Sequence, residues 1–290
     1  MADAWTTQRL LRWTTQHFER KGLDAPRLSA EMLLSHVLGT DRLKLYMDPD
    51  RPTSDLERAA FRDLVERALN HEPVDYLVGR SPFFSMMLKV TPAVLIPRPS
   101  TETAVEHIIQ HARRTPGFAR PTIADVGTGS GAIAIALAKH IDGARIIATD
   151  LHDDALALAR ENAHAQGVAD RIDFRQGDLL EPLAGEQLHY LVSNPPYIPD
   201  HEWDAVAPHV KNHEPTHALR SGPDGLDHLR PLIADGPALL HQPGQLVLEI
   251  AACHKDQVLA LAQQHALLTH EHVLADHQAL PRILVADRVG

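Results

Sequence analysis

The sequence predicts an α/β protein, a seven-stranded, doubly wound and mostly parallel sheet preceded by a small helical bundle and a linking β-hairpin. Three observations carry this expectation. A glycine-rich turn, Gly127-Thr128-Gly129-Ser130-Gly131, follows a strand-like run and opens a helical one. Strand-like and helical runs alternate after Pro99, and apolar residues before His71 recur at helical spacing.

The helical part, residues 1–71, contains three apolar stripes. Leu10, Leu11 and Phe18 mark one helix and Met32, Leu33 and Val37 another, with Gly22 and Pro26 between them. Leu56, Ala60, Phe61, Leu64 and Ala68 mark a third, whose start carries the Ser-x-x-Glu capping box Ser54-Asp55-Leu56-Glu57. From 72 to 98 the texture becomes β-branched and aromatic, punctuated by Gly79, Pro82 and Pro92, which reads as a short hairpin between two domains.

Residues 99–290 hold seven strand-like runs: Thr122–Val126, Arg145–Thr149, Ile172–Arg175, His189–Ser193, Gln245–Ile250, Glu271–Ala275 and Arg282–Asp287. Helical runs between the first five require parallel crossovers. The last two have a connection too short for a helix and are expected as an antiparallel pair.

Composition limits the chemistry. The chain has 290 residues, 44% of them hydrophobic, enough for one α/β domain and a smaller partner. Its net charge of −10 disfavours a broad phosphate-tracking surface, although 20 histidines soften that argument at acidic pH. The single cysteine, Cys253, excludes an internal disulfide and a cysteine-rich metal site and fits a reducing, cytoplasmic setting. No run has the length of a signal peptide or a membrane span, so a soluble protein is expected.

The glycine turn is the candidate cofactor site. Missing Cβ atoms at Gly127, Gly129 and Gly131 let a ligand approach the backbone, and Asp150, at the end of the second strand, stands where an acid binds ribose hydroxyls. Dinucleotides and S-adenosylmethionine both suit that arrangement, so the turn alone leaves the choice open. Asp178 and Leu179, after the third strand, stand where an adenine would lie; a solvated turn aspartate is the plain alternative.

The run Ser193-Asn194-Pro195-Pro196-Tyr197, at the end of the fourth strand, discriminates between the two. The Asn194 side-chain oxygen and the Pro195 carbonyl form a rigid acceptor pair suited to an NH2 group. Pro195 and Pro196 remove competing backbone donors, and Tyr197 offers an aromatic wall. Hydride transfer has no use for such a pair beside the cofactor, whereas methyl transfer to a nitrogen does. An ordinary Asn-Pro turn is the alternative, and the glycine turn upstream argues against it.

Together with Leu95-Ile96-Pro97-Arg98-Pro99-Ser100-Thr101-Glu102, His213-Glu214-Pro215, Ala218-Leu219, Ala30-Glu31-Met32-Leu33-Leu34 and the Pro73-x-x-Tyr76-Leu77-x-Gly79 segment, these motifs make the chain resemble, over essentially its whole length, the bacterial peptide chain release factor glutamine methyltransferases. The resemblance implies a seven-stranded class I methyltransferase (Rossmann-like) domain. It implies transfer of a methyl group from S-adenosylmethionine, leaving S-adenosylhomocysteine, to the side-chain amide nitrogen (N5) of the glutamine in the Gly-Gly-Gln motif of class I release factors. Gly127, Thr128, Gly129, Ser130 and Gly131 would line the methionine part of the cofactor, Asp150 would hold the ribose, and Asp178 and Leu179 would face the adenine. Asn194, which also counts among the cofactor-binding residues, would receive the glutamine together with Pro195, Pro196 and Tyr197, and the helical domain would recognise the substrate protein. No membrane and no nucleic-acid substrate are expected. Two positions depart from the family: Leu179, where an aromatic is usual, and Ala251, where a glycine is usual. A ribosomal-protein glutamine methyltransferase and a nucleic-acid amino methyltransferase are the rival enzymes; the Ile96–Glu102 segment argues against the first and the lack of a basic recognition segment against the second. A cofactor-binding adaptor is the non-enzymatic rival, and it would have no use for Asn194.

Four further features are weighed separately. Arg98 and Glu102 could shape the entrance to the site; an exposed ion pair and a favourable place in the first turn of a helix explain them equally well. His213-Glu214-Pro215-Thr216-His217 satisfies H-E-x-x-H, but Pro215 breaks the helix that zinc binding needs, so no metal is expected. His107 and His111 share one helix face and read as a solvated stripe.

Overall fold

The computed structural model describes residues 5–289. It divides into two compact units, one of residues 5–80 with 207–213 and one of 81–206 with 214–289. The segment expected as a linker is therefore shared, 72–80 going with the helices and 81–98 with the sheet.

The helical unit contains α1 (Thr7–Lys21), α2 (Pro26–Val37), the short α3 (Lys44–Met47), α4 (Asp55–Leu69) and α5 (Val74–Val78). Its core joins Leu10, Leu11 and Phe18 of α1 to Leu33 and Leu34 of α2 and to Phe61, Leu64, Val65 and Ala68 of α4. The capping box of α4 forms in full: Ser54 Oγ accepts from the Glu57 N–H (3.2 Å) and Glu57 Oε2 from the Ser54 N–H (2.8 Å). The stripe expected along α4 is wrong at its start, because Leu56 is 84% exposed and Ala60 is exposed too. A strict four-residue step drifts about 40° per step around a helix of 3.6 residues per turn, so the line from Ala68 back to Leu56 leaves the buried face.

The hairpin is β1 (Arg80–Phe83) and β2 (Met86–Lys89), turned at Phe84 and Ser85, both in left-handed backbone. Then come α6 (Glu102–Arg114), β3 (Thr122–Val126), α7 (Ala132–His140), β4 (Arg145–Asp150), α8 (Asp153–Ala165), β5 (Ile172–Gln176), β6 (Leu188–Ser193), α9 (Pro208–Lys211), α10 (Leu229–Asp235), β7 (Leu240–Glu249), α11 (Lys255–Gln263), β8 (Leu268–Ala275) and β9 (Pro281–Arg288). The seven larger strands form one sheet in the order β5-β4-β3-β6-β7-β9-β8, parallel except that β9 runs antiparallel to both β7 and β8. All seven expected strands are present.

Two cores cover the two faces of the sheet. Tyr190 and Val192 of β6 join the core that holds Val105, Ile108, Ile135 and Leu137, from α6 and α7, whereas Leu191 joins Leu229, Leu232 and Val258, from α10 and α11. That alternation is the two-residue period of a strand buried on both faces. Helix α7 is apolar all round and buried from Ala132 to Ala138, as befits a helix enclosed by its neighbours. His107 and His111 correct the expectation of a solvated stripe: the amphipathic face of α6 turns them inward, half-buried, where His107 Nε2 meets Gln245 Oε1 (3.0 Å) and His111 Nδ1 meets the Tyr190 hydroxyl (2.7 Å). Burial lowers the proton affinity of both rings.

Candidate active site

The chain order of the sheet reverses at β3, which pairs with β4 on one side and β6 on the other. In the register of these pairs Val126 lies opposite both Thr149 and Ser193, so the loops that follow leave the sheet at one level. Such a switch point is where open α/β sheets bind ligands. A solvent-open cleft of about 210 Å³ lies there. Gly127 to Ser130, Asp150, Asp178 and Leu179 line one part of it and Asn194, Pro195 and Pro196 another. Residues that the sequence places up to 69 positions apart are thus brought to one cavity.

The glycine turn is shaped by its own backbone. Gly127, Gly129 and Gly131 have φ of 71°, 54° and 82°, and the Thr128 N–H donates to the Thr149 carbonyl while the Gly131 N–H donates to that of Thr128 (2.8 Å each). The three glycines serve different needs. A Cβ on Gly131 would come within 2.9 Å of Ile135 Cδ1 and 3.2 Å of Ala159 Cβ, so it permits close helix packing; at Gly127 and Gly129 a Cβ would meet nothing within 4 Å, leaving the backbone open to a ligand.

Two carboxylates frame the turn. Asp150 accepts from the Gly129 N–H (2.9 Å) and the His152 N–H (3.0 Å), which fixes its plane. Fully buried Asp125 accepts from the Thr128 hydroxyl (2.6 Å) and the Ala134 N–H (3.1 Å); burial pushes its carboxyl up to about 7.

On the acceptor side, Asn194 Nδ2 donates to the Thr101 hydroxyl (3.2 Å). Neither Asn194 Oδ1 nor the Pro195 carbonyl accepts a hydrogen bond among the described residues. The chain beyond is pinned to the loop at 219–222, with Ile198 N–H donating to Leu219 O, Ser221 N–H to Ile198 O and Asp200 N–H to Gly222 O, each 2.9 Å. Pro195 and Pro196 therefore sit between a strand end and an anchored segment. Tyr197 stands apart: it is half-buried but does not line the cleft, and burial together with the nearby Glu249 carboxylate pushes its hydroxyl up to about 12.

The remaining candidates separate cleanly. Arg98 lines the cleft and forms a 2.6 Å ion pair with Glu214, whose side chain is completely buried and also accepts from the Ile96 N–H (3.1 Å). Glu102 Oε1 instead receives the Phe84 N–H (2.8 Å), closing the hairpin turn. The H-E-x-x-H residues share no helix: Pro215 is extended, and only Thr216–Ala218 form a single 3₁₀ turn. Ala251 has φ −68°, a conformation open to any residue, so the usual glycine is not required there.

Sequence reasoning missed several cleft residues. Leu151, 54% exposed, lines the cleft together with Leu179 and adds apolar surface beside it. The rings of His152 and His217 lie 3.8 Å apart, and burial holds His217 below its ordinary proton affinity. Thr101, buried, and His228 also line the cleft. A large apolar residue directly after Asp150 was the local signal for Leu151; the others arrive through loop paths.

Residues 9–79 match the family model described as the PrmC N-terminal domain and residues 100–222 the Methyltransferase small domain. The release factor glutamine methyltransferase of Rhodopirellula baltica is 39% identical over 282 residues, which is 97% of this chain and 95% of that protein. That of Chlorobaculum tepidum is 42% identical over 254 residues, 86% of each. The chain belongs to the release factor glutamine methyltransferase family. Among solved structures, the hMettl16 catalytic domain in complex with the MAT2A 3′UTR hairpin 6 covers 70% of this chain and 76% of its own at a TM-score of 0.55 and 15% identity, which speaks for the fold alone.

As a member of the release factor glutamine methyltransferase family the chain is an S-adenosylmethionine-dependent methyltransferase. The residues fit such a cofactor: the open backbone at Gly127 and Gly129 leaves room for it, Asp150 offers a carboxylate, and Thr149, which lines the cleft, has a buried hydroxyl with no partner among the described residues. No helix of the described residues is long and apolar enough to cross a membrane.

Proposed function

We propose that the chain methylates the side-chain amide nitrogen (N5) of the glutamine in the Gly-Gly-Gln motif of class I peptide chain release factors. The observation that carries this reading is the pair of unengaged acceptors, Asn194 Oδ1 and the Pro195 carbonyl, on the same cleft as the glycine turn. The names of the relatives supply the substrate class.

S-adenosylmethionine, when bound, supplies an electrophilic methyl group on sulfur. Gly127 to Gly131 hold its methionine part, Asp150 its ribose, and Asp178, Leu179 and Leu151 face its adenine. Asn194 and Pro195 each accept one hydrogen of the glutamine NH2 group, which fixes the nitrogen in space. An amide nitrogen is a weak nucleophile because its lone pair is delocalised, so this positioning is the principal catalytic contribution. The same two acceptors stabilise the positive charge that develops on nitrogen, and Pro195 and Pro196 keep competing N–H donors away. The proton then leaves to water, since an amide nitrogen carrying an extra substituent is strongly acidic. The helical unit recognises the rest of the release factor.

Incubation with labelled S-adenosylmethionine and, separately, a release factor, the same factor with its motif changed to Gly-Gly-Glu, ribosomal protein, DNA and RNA tests the reading. Label is expected only in the unaltered release factor. Label in nucleic acid alone, or equally in the Gly-Gly-Glu factor, overturns it.

A further inference from the structure

Asn194 can carry out its proposed task only one way round. The amide is nearly symmetric in shape, so packing cannot distinguish its oxygen from its nitrogen; hydrogen-bond polarity must. Rotated by half a turn, Asn194 would aim N–H donors at the hydrogens of the substrate nitrogen.

The polarity comes from a buried chain of side chains. Glu249 ends β7 and is 1% exposed. Its Oε2 accepts from the Thr101 hydroxyl (2.5 Å) and its Oε1 from the Ser100 hydroxyl (2.8 Å). Burial raises the proton affinity of Glu249, but whether the group is ionised or carries its proton on Oε1, Oε2 only accepts, so the single hydroxyl proton of Thr101 is committed to it and the Thr101 oxygen is left with lone pairs alone. The one group that can then face it is the Asn194 NH2, found at 3.2 Å. Asn194 Oδ1 is thereby directed away from Thr101.

We propose that Glu249, acting through Thr101, fixes the orientation of the Asn194 amide, so that Thr101 and Glu249 are positioning residues for methyl transfer. The inference rests on the reading of Asn194 as the substrate acceptor. Thr101 precedes α6 and Glu249 lies 148 residues further on; neither needs to touch substrate to set the geometry of the residue that does.

Three variants test it in the full chain, with kcat and KM for the release factor measured beside the Kd for S-adenosylmethionine. Thr101→Val keeps the shape and removes the hydroxyl; its kcat is expected to fall about ten- to hundredfold, the scale of a misplaced reacting group, with cofactor Kd unchanged. Thr101→Ser restores the hydroxyl and most of the rate. Glu249→Gln slows the wild-type protein but adds nothing in the Thr101→Val background, because its effect passes through that hydroxyl. A wild-type kcat for Thr101→Val, a Thr101→Ser variant as slow as Thr101→Val, or an equal Glu249→Gln effect in both backgrounds overturns the proposal. The underlying reading fails separately: an active Asn194→Ala would remove the acceptor role itself, whereas an inactive Asn194→Ala beside a fully active Thr101→Val would remove only the relay.

Discussion

The two halves of the cleft are built by different means. Around the glycine turn, shape comes from backbone conformation and short-range bonds: Thr128 to Asp125 spans three residues, His152 to Asp150 two, and Gly129 to Asp150 twenty-one. Around Asn194, shape comes from side chains that meet across the fold: Thr101 is 93 residues away, Glu249 is 148 from Thr101, and Glu214 is 116 from Arg98. The first half needs flexible residues at fixed places; the second needs a rigid scaffold behind one amide.

If that contrast holds, changes in one half should register in a different measurement from changes in the other. Asn194→Ala is expected to have the largest effect, lowering kcat by about 10²- to 10³-fold, as for removal of one group that stabilises developing charge. Its cofactor Kd, read by calorimetry, should stay near the wild-type value; a parallel loss of both would merge the two halves. Arg98→Ala strands the buried Glu214 carboxylate and should lower stability by about 3 kcal/mol in urea unfolding, an outcome that a rate assay alone would not reveal.

Within the turn, Gly131→Ala combines left-handed backbone with the approach to Ile135 and should cost about 2 kcal/mol, against about 1 kcal/mol for Gly127→Ala, which has space for its methyl group. Both should weaken cofactor binding, with Gly127→Ala the more selective; equal losses of stability would show that packing does not separate the two glycines. The last effect is a pH dependence, spread over several pH units. Asp125 titrates at about 7 in the folded protein but in the ordinary carboxylate range when unfolded. Between those limits the folded state binds more protons, so stability falls as pH rises toward 7. Asp125→Asn abolishes that slope, which urea midpoints across the range will reveal.

The same contrast explains what the sequence disclosed. Strands, helix α7 and the glycine turn were readable because each is written in neighbouring residues: alternation, apolar runs and the Gly-x-Gly-x-Gly spacing. Asn194-Pro195-Pro196 was readable for the same reason. Thr101 and Glu249 appeared only as part of a family-like segment and a strand end, because nothing local says that they share a hydrogen bond. Glu214 was seen inside a false metal motif, and its true partners, Ile96 and Arg98, lie more than a hundred residues upstream. His107 and His111 were misread because a polar ring on a helix signals solvent until Tyr190 and Gln245 are known to be opposite.

The common level of Val126, Thr149 and Ser193 acts as a gauge for the whole enzyme. Loops beyond that level can lengthen or change residue and alter what is grasped. The strands themselves allow no such freedom: deleting one residue from β6 would turn every following side chain to the opposite face, carrying Asn194 away from the methyl donor while leaving the composition of the site almost untouched.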